Sequence, residues 1–140
     1  MAATLIDGAA MARQVYGELK HRVAALSRRG ACPGLAAIQI GNNPVSEVYL
    51  RNKVRACAEA GLRSELHRFA AGCPESEVVE LIGRLNADSG IHGILVQLPL
   101  PPQINAQKII ASIEPDKDVD GFHPLNTGRH ATGIAGLVPC

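Results

Sequence analysis

Two short apolar runs, residues 35–40 and 91–98, place the tightest constraint on how this chain can fold. Each run is too short for a typical buried helix and is followed by turn-forming residues. The first runs into Gly41-Asn42-Asn43-Pro44, and the second is interrupted by Pro99. Such runs are typical of buried strands, so we expect a sheet that is covered by helices.

Segments with helical periodicity lie before, between and after these runs. We predict a more polar strand, near a sheet edge, at residues 62–69. We predict four helices, at residues 9–28, 46–60, 75–87 and 105–113. Ser46 is the predicted cap of the second helix and Gly61 its stop. The spacing of apolar residues predicts the inner face of each helix. For the first helix these residues are Val15, Leu19, Val23 and Leu26, and for the third they are Val78, Val79, Ile82 and Leu85. Strands alternating with helices predict an α/β layer with a mainly parallel sheet.

Composition excludes several classes of function. The 140 residues carry a formal net charge of +1, which does not indicate a nucleic-acid partner. No apolar run is long enough to span a membrane, and the first eight residues lack the pattern of a secretory signal. The cysteines have no metal-ligand spacing, so we expect reduced thiols and no metal at Cys32, Cys57, Cys73 and Cys140. We therefore expect a cytoplasmic protein.

Ser46, Tyr49 and Lys53 form the first candidate site. At helical spacing they share one face, which begins where a strand has ended and can point into the cleft beyond the strand ends. A solvated helix face is the alternative. Tyr offers a flat ring for stacking, and a desolvated Lys can act as an acid or base. Together they suit acid–base chemistry on an aromatic nitrogen compound.

Gln97 is the second candidate, because an amide that ends a buried strand must find hydrogen-bond partners. Its partner is either local backbone or, in a functional site, the Lys53 amine or a substrate. A neutral partner would allow that lysine to lose its proton.

The third candidate is the acidic run 116–121, DKDVDG. It resembles the start of a calcium-binding EF-hand loop, but Thr127 stands where that loop needs a bidentate Glu, and no helix is predicted after it. We expect Asp120 to lie in the cleft, Asp116 and Asp118 to be solvated, and His123 to be able to line the cleft. His21 and His67 are predicted to be exposed and His92 to lie away from the site, and no residue pattern indicates covalent catalysis or a dinucleotide turn.

Three stretches together resemble one family, the bifunctional methylenetetrahydrofolate dehydrogenase/methenyltetrahydrofolate cyclohydrolases. They are residues 41–53, GNNPVSEVYLRNK; residues 92–101, HGILVQLPLP; and residues 115–126, PDKDVDGFHPLN. The resemblance extends over essentially the whole chain. It implies a three-layer α-β-α catalytic domain of the kind found at the N-terminus of amino-acid-dehydrogenase-like proteins.

The resemblance also implies an activity and residue roles. Family members oxidise 5,10-methylenetetrahydrofolate with NADP and hydrolyse the methenyl product to 10-formyltetrahydrofolate, in one-carbon metabolism that feeds purine, methionine and histidine synthesis. It makes Lys53 the acid/base, Tyr49 the stacking residue and Gln97 the group that tunes Lys53. Asp120 would hold the amino edge of the pterin. Ser46, Val96 and Leu98 would complete the substrate site.

Family members are about twice as long as this chain. The resemblance therefore places a Rossmann-type NADP-binding domain beyond Cys140, together with a C-terminal helix that returns to cover apolar surface here. It also implies a homodimer for the complete protein. We expect folate binding and at most hydrolysis, without dehydrogenase activity, from these residues alone. A non-catalytic folate-binding module, a calcium-binding module and a shikimate-type substrate domain are the alternatives.

Overall fold

The computed structural model describes residues 6–136, so the predictions for the first five residues and for Cys140 lie outside it. Its helices and strands alternate along the chain as predicted. In order they are α1 (Gly8–Ser27), β1 (Gly34–Ile40), α2 (Pro44–Ala60), β2 (Arg63–Phe69), α3 (Glu75–Ala87), β3 (Gly93–Val96), α4 (Ala106–Ala111) and α5 (Pro124–Ala131).

The three strands form a parallel sheet in the order β2-β1-β3, which confirms the parallel sheet and the edge position of β2. β3 is shorter than the predicted run 91–98. Its ladder with β1 ends where the Gln97 N–H donates to the Ile38 carbonyl at 2.9 Å. The next donor on this side of a parallel ladder would be the N–H of residue 99, which is a proline and has none.

Helices cover both faces of the sheet, which confirms the three-layer architecture. The face towards α3 and α4 carries the main apolar core, in which Ile38 and Ile94 of the sheet pack with Val78 and Ile82 of α3 and Ile109 of α4. Leu81 also belongs to this core, whereas the predicted Val79 only borders it. On the other face, a small cluster joins Leu50 of α2 to the sheet residues Ala37 and Leu95.

The predicted inner face of α1 is only partly covered, which corrects the expectation from periodicity. Val23 is buried, but Val15 is 59% exposed and Leu26 is 37% exposed. Periodicity identifies which residues share a stripe but not whether another element packs on it. Within residues 6–136 this stripe lacks a full partner.

Two helix starts also differ from prediction. Asn43 rather than Ser46 caps α2, because its side chain accepts hydrogen bonds from the N–H groups of Val45 and Ser46 at 2.9 and 3.3 Å. Gly61 ends α2 with a φ of 83°, as predicted. α5 begins at Pro124, where no helix was expected. Proline is favoured in the first turn of a helix, since its missing N–H would have no partner there.

Asp118 is only 2% exposed, so the expectation that it is a solvated turn residue is wrong. Its carboxylate accepts hydrogen bonds from the His123 N–H at 2.8 Å and the Asn126 side-chain amide at 3.0 Å. Beside it, the Lys117 amine donates to three carbonyls at the end of α3. These bonds fix the segment that carries Asp120. Asp116 is exposed, as expected.

No helix within residues 6–136 has the length and apolar character needed to cross a membrane.

Candidate active site

α2 holds Tyr49 and Lys53 together on one face. The Lys53 Nζ lies 4.8 Å from the centre of the Tyr49 ring, which is the geometry of a cation–π contact. Tyr49 is half exposed, so one side of its ring remains available to a planar ligand. Within the described residues Lys53 is in no salt bridge, and this leaves its amine available for proton transfer.

Asp120 reaches the same site from the segment after α4. This segment runs alongside β3, where the Ile94 N–H donates to the Lys117 carbonyl at 2.7 Å. Val119 packs so closely over Gly93 that a Cβ there would lie 2.5 Å from a Val119 methyl group. Gly93 therefore permits the approach that brings Asp120 into the site.

Burial raises the pKa of the Asp120 carboxyl above its ordinary value of 3.8. The positive charge of Lys53 opposes this rise, and the negative charge of Asp118 adds to it. Lys53 also lowers the pKa of the Cys57 thiol, although burial of that thiol has the larger effect and raises the pKa overall. Lys53 is thus the local positive charge for both groups.

We call the larger cavity at this site the Lys53 cavity. It has a volume of about 550 Å³ and is lined mainly by α1, α2 and the amino ends of β1 and β3. Its lining includes Tyr16, Leu19, Leu35, Tyr49, Asn52, Lys53, Cys57, His92, Val119 and Asp120. His92 was expected to lie away from the site, but it borders this cavity because the cavity extends down the sheet from the carboxyl edge.

The second cavity, the Gln97 cavity, lies at the carboxyl edge and has a volume of about 420 Å³. It is lined by Asn43, Val45, Ser46, Tyr49, Leu95, Val96, Gln97, Leu98, Pro99, Asp120 and Phe122. The Val96 side chain belongs to the core on the opposite face, so Val96 borders the cavity through its backbone. Tyr49 and Asp120 line both cavities and form the boundary between them.

The Gln97 side chain uses its N–H to donate to the Leu98 carbonyl at 2.8 Å. This is the local hydrogen bond that the sequence left as one alternative. The bond leaves the Gln97 carbonyl oxygen free to accept from another group. Lys53 and Gln97 line different cavities, and no hydrogen bond between them occurs in the described part of the chain.

The structure thus gathers all seven predicted site residues around two adjoining cavities. His123 is the exception among the weaker candidates, because it is buried and its ring accepts a hydrogen bond from the Leu125 N–H at 3.1 Å. Phe122 also lines the Gln97 cavity and is 49% exposed, but it was not predicted as a site residue. The signal in the sequence was an aromatic residue directly after the acidic run, in a chain with only 3% aromatic residues.

Comparison with known proteins agrees with this geometry. The family model described as the tetrahydrofolate dehydrogenase/cyclohydrolase catalytic domain matches residues 6–120. The chain belongs to this family. The match contains Ser46, Tyr49, Lys53, Gln97 and Asp120.

Curated relatives and solved structures support the same assignment. The chain is 51% identical over its whole length to the bifunctional protein FolD of Paracidovorax citrulli and of Paraburkholderia phytofirmans. It spans 50% and 49% of those proteins, or about half their length.

Two crystal structures of the family superpose closely. The Campylobacter jejuni enzyme matches with a TM-score of 0.97 and 42% identity, over 99% of this chain and 50% of that one. The Trypanosoma brucei enzyme, complexed with NADP and an inhibitor, matches with a TM-score of 0.93 and 37% identity, over 100% of this chain and 49% of that one.

Proposed function

We propose that this chain binds a tetrahydrofolate and hydrolyses the 5,10-methenyl form to 10-formyltetrahydrofolate. In the complete protein, the same domain takes part in the NADP-dependent oxidation of 5,10-methylenetetrahydrofolate. The observation that carries the proposal is the position of the Lys53 amine over the Tyr49 ring. Asp120 lies at the same site, where it and Tyr49 line both cavities.

Each residue has a role that follows from its chemistry. The Tyr49 ring stacks on the planar folate, and the Lys53 amine moves protons during attack of water on the methenyl carbon. Asp120 accepts hydrogen bonds from the amino edge of the pterin. Ser46 and Gln97 bind polar groups of the folate or Lys53, and the backbone at Val96 and Leu98 completes the substrate site.

Within residues 6–136, the helix that follows the central strand β1 does not fit NADP. A dinucleotide site needs free N–H groups at a helix N-terminus that follows a strand. After β1, the N–H groups of Val45 and Ser46 already donate to the Asn43 side chain, and Pro44 has no N–H to offer. We therefore propose that NADP binds to a separate domain of the complete protein, and that these 140 residues do not carry out the oxidation.

The exposed apolar stripe of α1 and the Lys53 cavity support a further part of the proposal. We propose that in the complete protein a C-terminal helix covers this surface, and that the complete protein is a cytoplasmic homodimer working in one-carbon metabolism. The uncovered side chains Val15, Tyr16 and Leu26 are consistent with a surface that is buried in a larger protein.

The catalytic proposal is tested by measuring the rate of hydrolysis of 5,10-methenyltetrahydrofolate from the loss of its absorbance. Lys53→Met should reduce the rate by about a hundredfold or more, because the acid/base is lost while the apolar stem is kept. Lys20→Met, at an exposed position of α1, is the matched control and should retain the rate. Equal rates for Lys53→Met and the parent chain would remove Lys53 from the mechanism.

A non-catalytic folate-binding module is the second candidate. It is favoured by one observation, the lack of a hydrogen bond between Lys53 and Gln97, which line separate cavities. Calorimetry that detects folate binding, alongside no hydrolysis above the uncatalysed rate, would support this candidate over the first.

A further inference from the structure

A layer of polar side chains lies directly above the small apolar cluster on the α2 face. The apolar cluster contains Ala37, Leu50 and Leu95. Two residues further towards the carboxyl edge are Gln39 of β1 and Gln97, which directly follows β3 and still donates its backbone N–H to Ile38 of β1. Since side chains alternate along strands, both glutamines lie on the same face of the sheet as the cluster.

Ser46 completes this layer from above. It precedes Leu50 by one helical turn, and α2 runs back from the carboxyl edge after its short connection to β1. One turn of helix and two residues of strand have similar lengths, about 5–7 Å. Because Leu50 packs with Ala37, we expect Ser46 to lie near Gln39. Ser46 is buried, as expected for that position.

Gln39 is the unusual member of the layer. Its side chain is 2% exposed, and neither its amide N–H nor its amide oxygen has a hydrogen-bond partner within the described residues. A buried amide without partners is costly, and buried polar groups of this kind are rare in folded proteins. Ser46 and Gln97, by contrast, both line the Gln97 cavity.

We propose that Gln39 is a positioning residue for this site, whose amide donates to the Gln97 carbonyl oxygen and accepts from the Ser46 hydroxyl when a folate occupies the Gln97 cavity. The inference rests on the proposed function of that cavity. Gln97 already commits its N–H to the Leu98 carbonyl, so its oxygen is the acceptor that remains. The Gln97 amide oxygen has two lone pairs. A bond from Gln39 uses one of them, and the other can accept a hydrogen bond from Lys53 or the substrate.

Arg68 is the competing partner, because it is the register partner of Gln39 on β2, the strand opposite β3. Its side chain is exposed, and a bond to it would give Gln39 a purely structural role. Arg68→Met is for this reason the matched control.

The deciding variant is Gln39→Leu, which keeps the shape and removes the amide. If the amide is unpaired without ligand, the variant should unfold a few degrees above the parent chain, because an unsatisfied buried group has been removed. Hydrolysis of 5,10-methenyltetrahydrofolate should fall about tenfold in kcat with a smaller change in KM. The side-chain amide NMR signals of Gln97 should shift in the ligand-free variant, since the neighbouring amide is gone.

Two results would overturn the proposal. One is a lower unfolding temperature in Gln39→Leu with unchanged kcat, which indicates a structural partner. The other is a response of the Gln97 signals to Arg68→Met but not to Gln39→Leu. If the parent chain neither binds nor hydrolyses folate, the proposed function fails. The unfolding temperature and the Gln97 signals then still decide whether Gln39 is unpaired and adjoins Gln97.

Discussion

The two faces of the sheet differ in what their side chains do. The face towards α3 and α4 is filled by branched apolar residues, several of which, such as Ile38, Ile82 and Ile109, are completely buried. The face towards α2 has a small apolar cluster, two cavities and the polar layer of Gln39, Ser46 and Gln97. The first face supplies stability, and the second holds the candidate site.

The contrast explains why a site can exist in so small a domain. Apolar burial on the α3 face contributes most of the favourable free energy of folding. The α2 face can then keep unpaired polar groups and open volume that would destabilise a fold with no other core. Substitutions on the two faces should therefore fail in different ways.

Ile82→Ala should have the largest effect on stability. Ile82 is fully buried in the α3-face core, and truncating such a side chain costs about 2–5 kcal/mol. Urea unfolding measures the loss. Glu80→Ala, on the exposed side of the same helix, should change the free energy of unfolding by less than about 0.5 kcal/mol. Folate affinity at a temperature where Ile82→Ala remains folded should be unchanged, and a large loss of affinity there would break the division between the faces.

Asp118→Ala should come next and should affect both properties. It removes the acceptor of two hydrogen bonds and leaves the buried His123 N–H unpaired, whereas the Asn126 amide keeps its bond to the Pro115 carbonyl. A buried donor left without a partner costs about 1–3 kcal/mol. We expect a loss of about 2–3 kcal/mol in urea unfolding, with weaker folate binding because Asp120 is no longer held in place.

The exposed Asp116 provides the control for this prediction. Asp116→Ala should leave stability and affinity nearly unchanged. Similar losses in both aspartate variants would show that the charge of the run matters rather than the bonds of Asp118.

These residues also show what the sequence could predict. The strand–helix alternation and the positions of Tyr49, Lys53 and Gln97 followed from local patterns, because periodicity and turn residues act over a few positions. The burial of Asp118 depends on the backbone N–H of His123 and the side chain of Asn126. That arrangement requires α5, a helix that the local sequence pattern does not predict.

The same distinction applies to Gln39 and Gln97. Both are glutamines in apolar runs of the sequence, but Gln97 stands near the end of its run, where a polar residue suggests a site. Gln39 lies within its run, and its neighbours Ser46 and Gln97 come from separate elements. Only the register of β1 and β3 and the position of α2 bring these groups together.

Asn43→Ala should destabilise the chain by about 1 kcal/mol, since it removes the cap of α2. Thermal unfolding, followed by circular dichroism, measures the effect. Ser46→Ala is the informative comparison, because Ser46 was the predicted cap and the structure gives that role to Asn43. Without ligand it should cost less than Asn43→Ala. The reverse order would restore Ser46 as the cap and remove it from the polar layer.

The smallest expected effect is the pH dependence that Asp120 contributes. Burial raises the pKa of its carboxyl above 3.8, so the folded chain retains a proton that the unfolded chain has already lost. The free energy of unfolding should therefore fall as the pH rises from about 3.8 through the raised pKa, and the Asp120 contribution should be constant above it. The effect is modest because Asp120 remains partly accessible to water, which screens its charge.

Asp120→Asn cannot titrate and should not show this decline. The difference in free energy of unfolding, variant minus parent, should therefore increase with pH across that window in a series of urea titrations. Asp116→Asn, which makes the same change at an exposed position of the same run, is the matched control. A difference that shrinks with pH for Asp120→Asn would mean that the attraction of Lys53 exceeds the cost of burial. Asp120 would then be ionised more readily than in water, and the α2 face would be held together by charge rather than left open for a ligand.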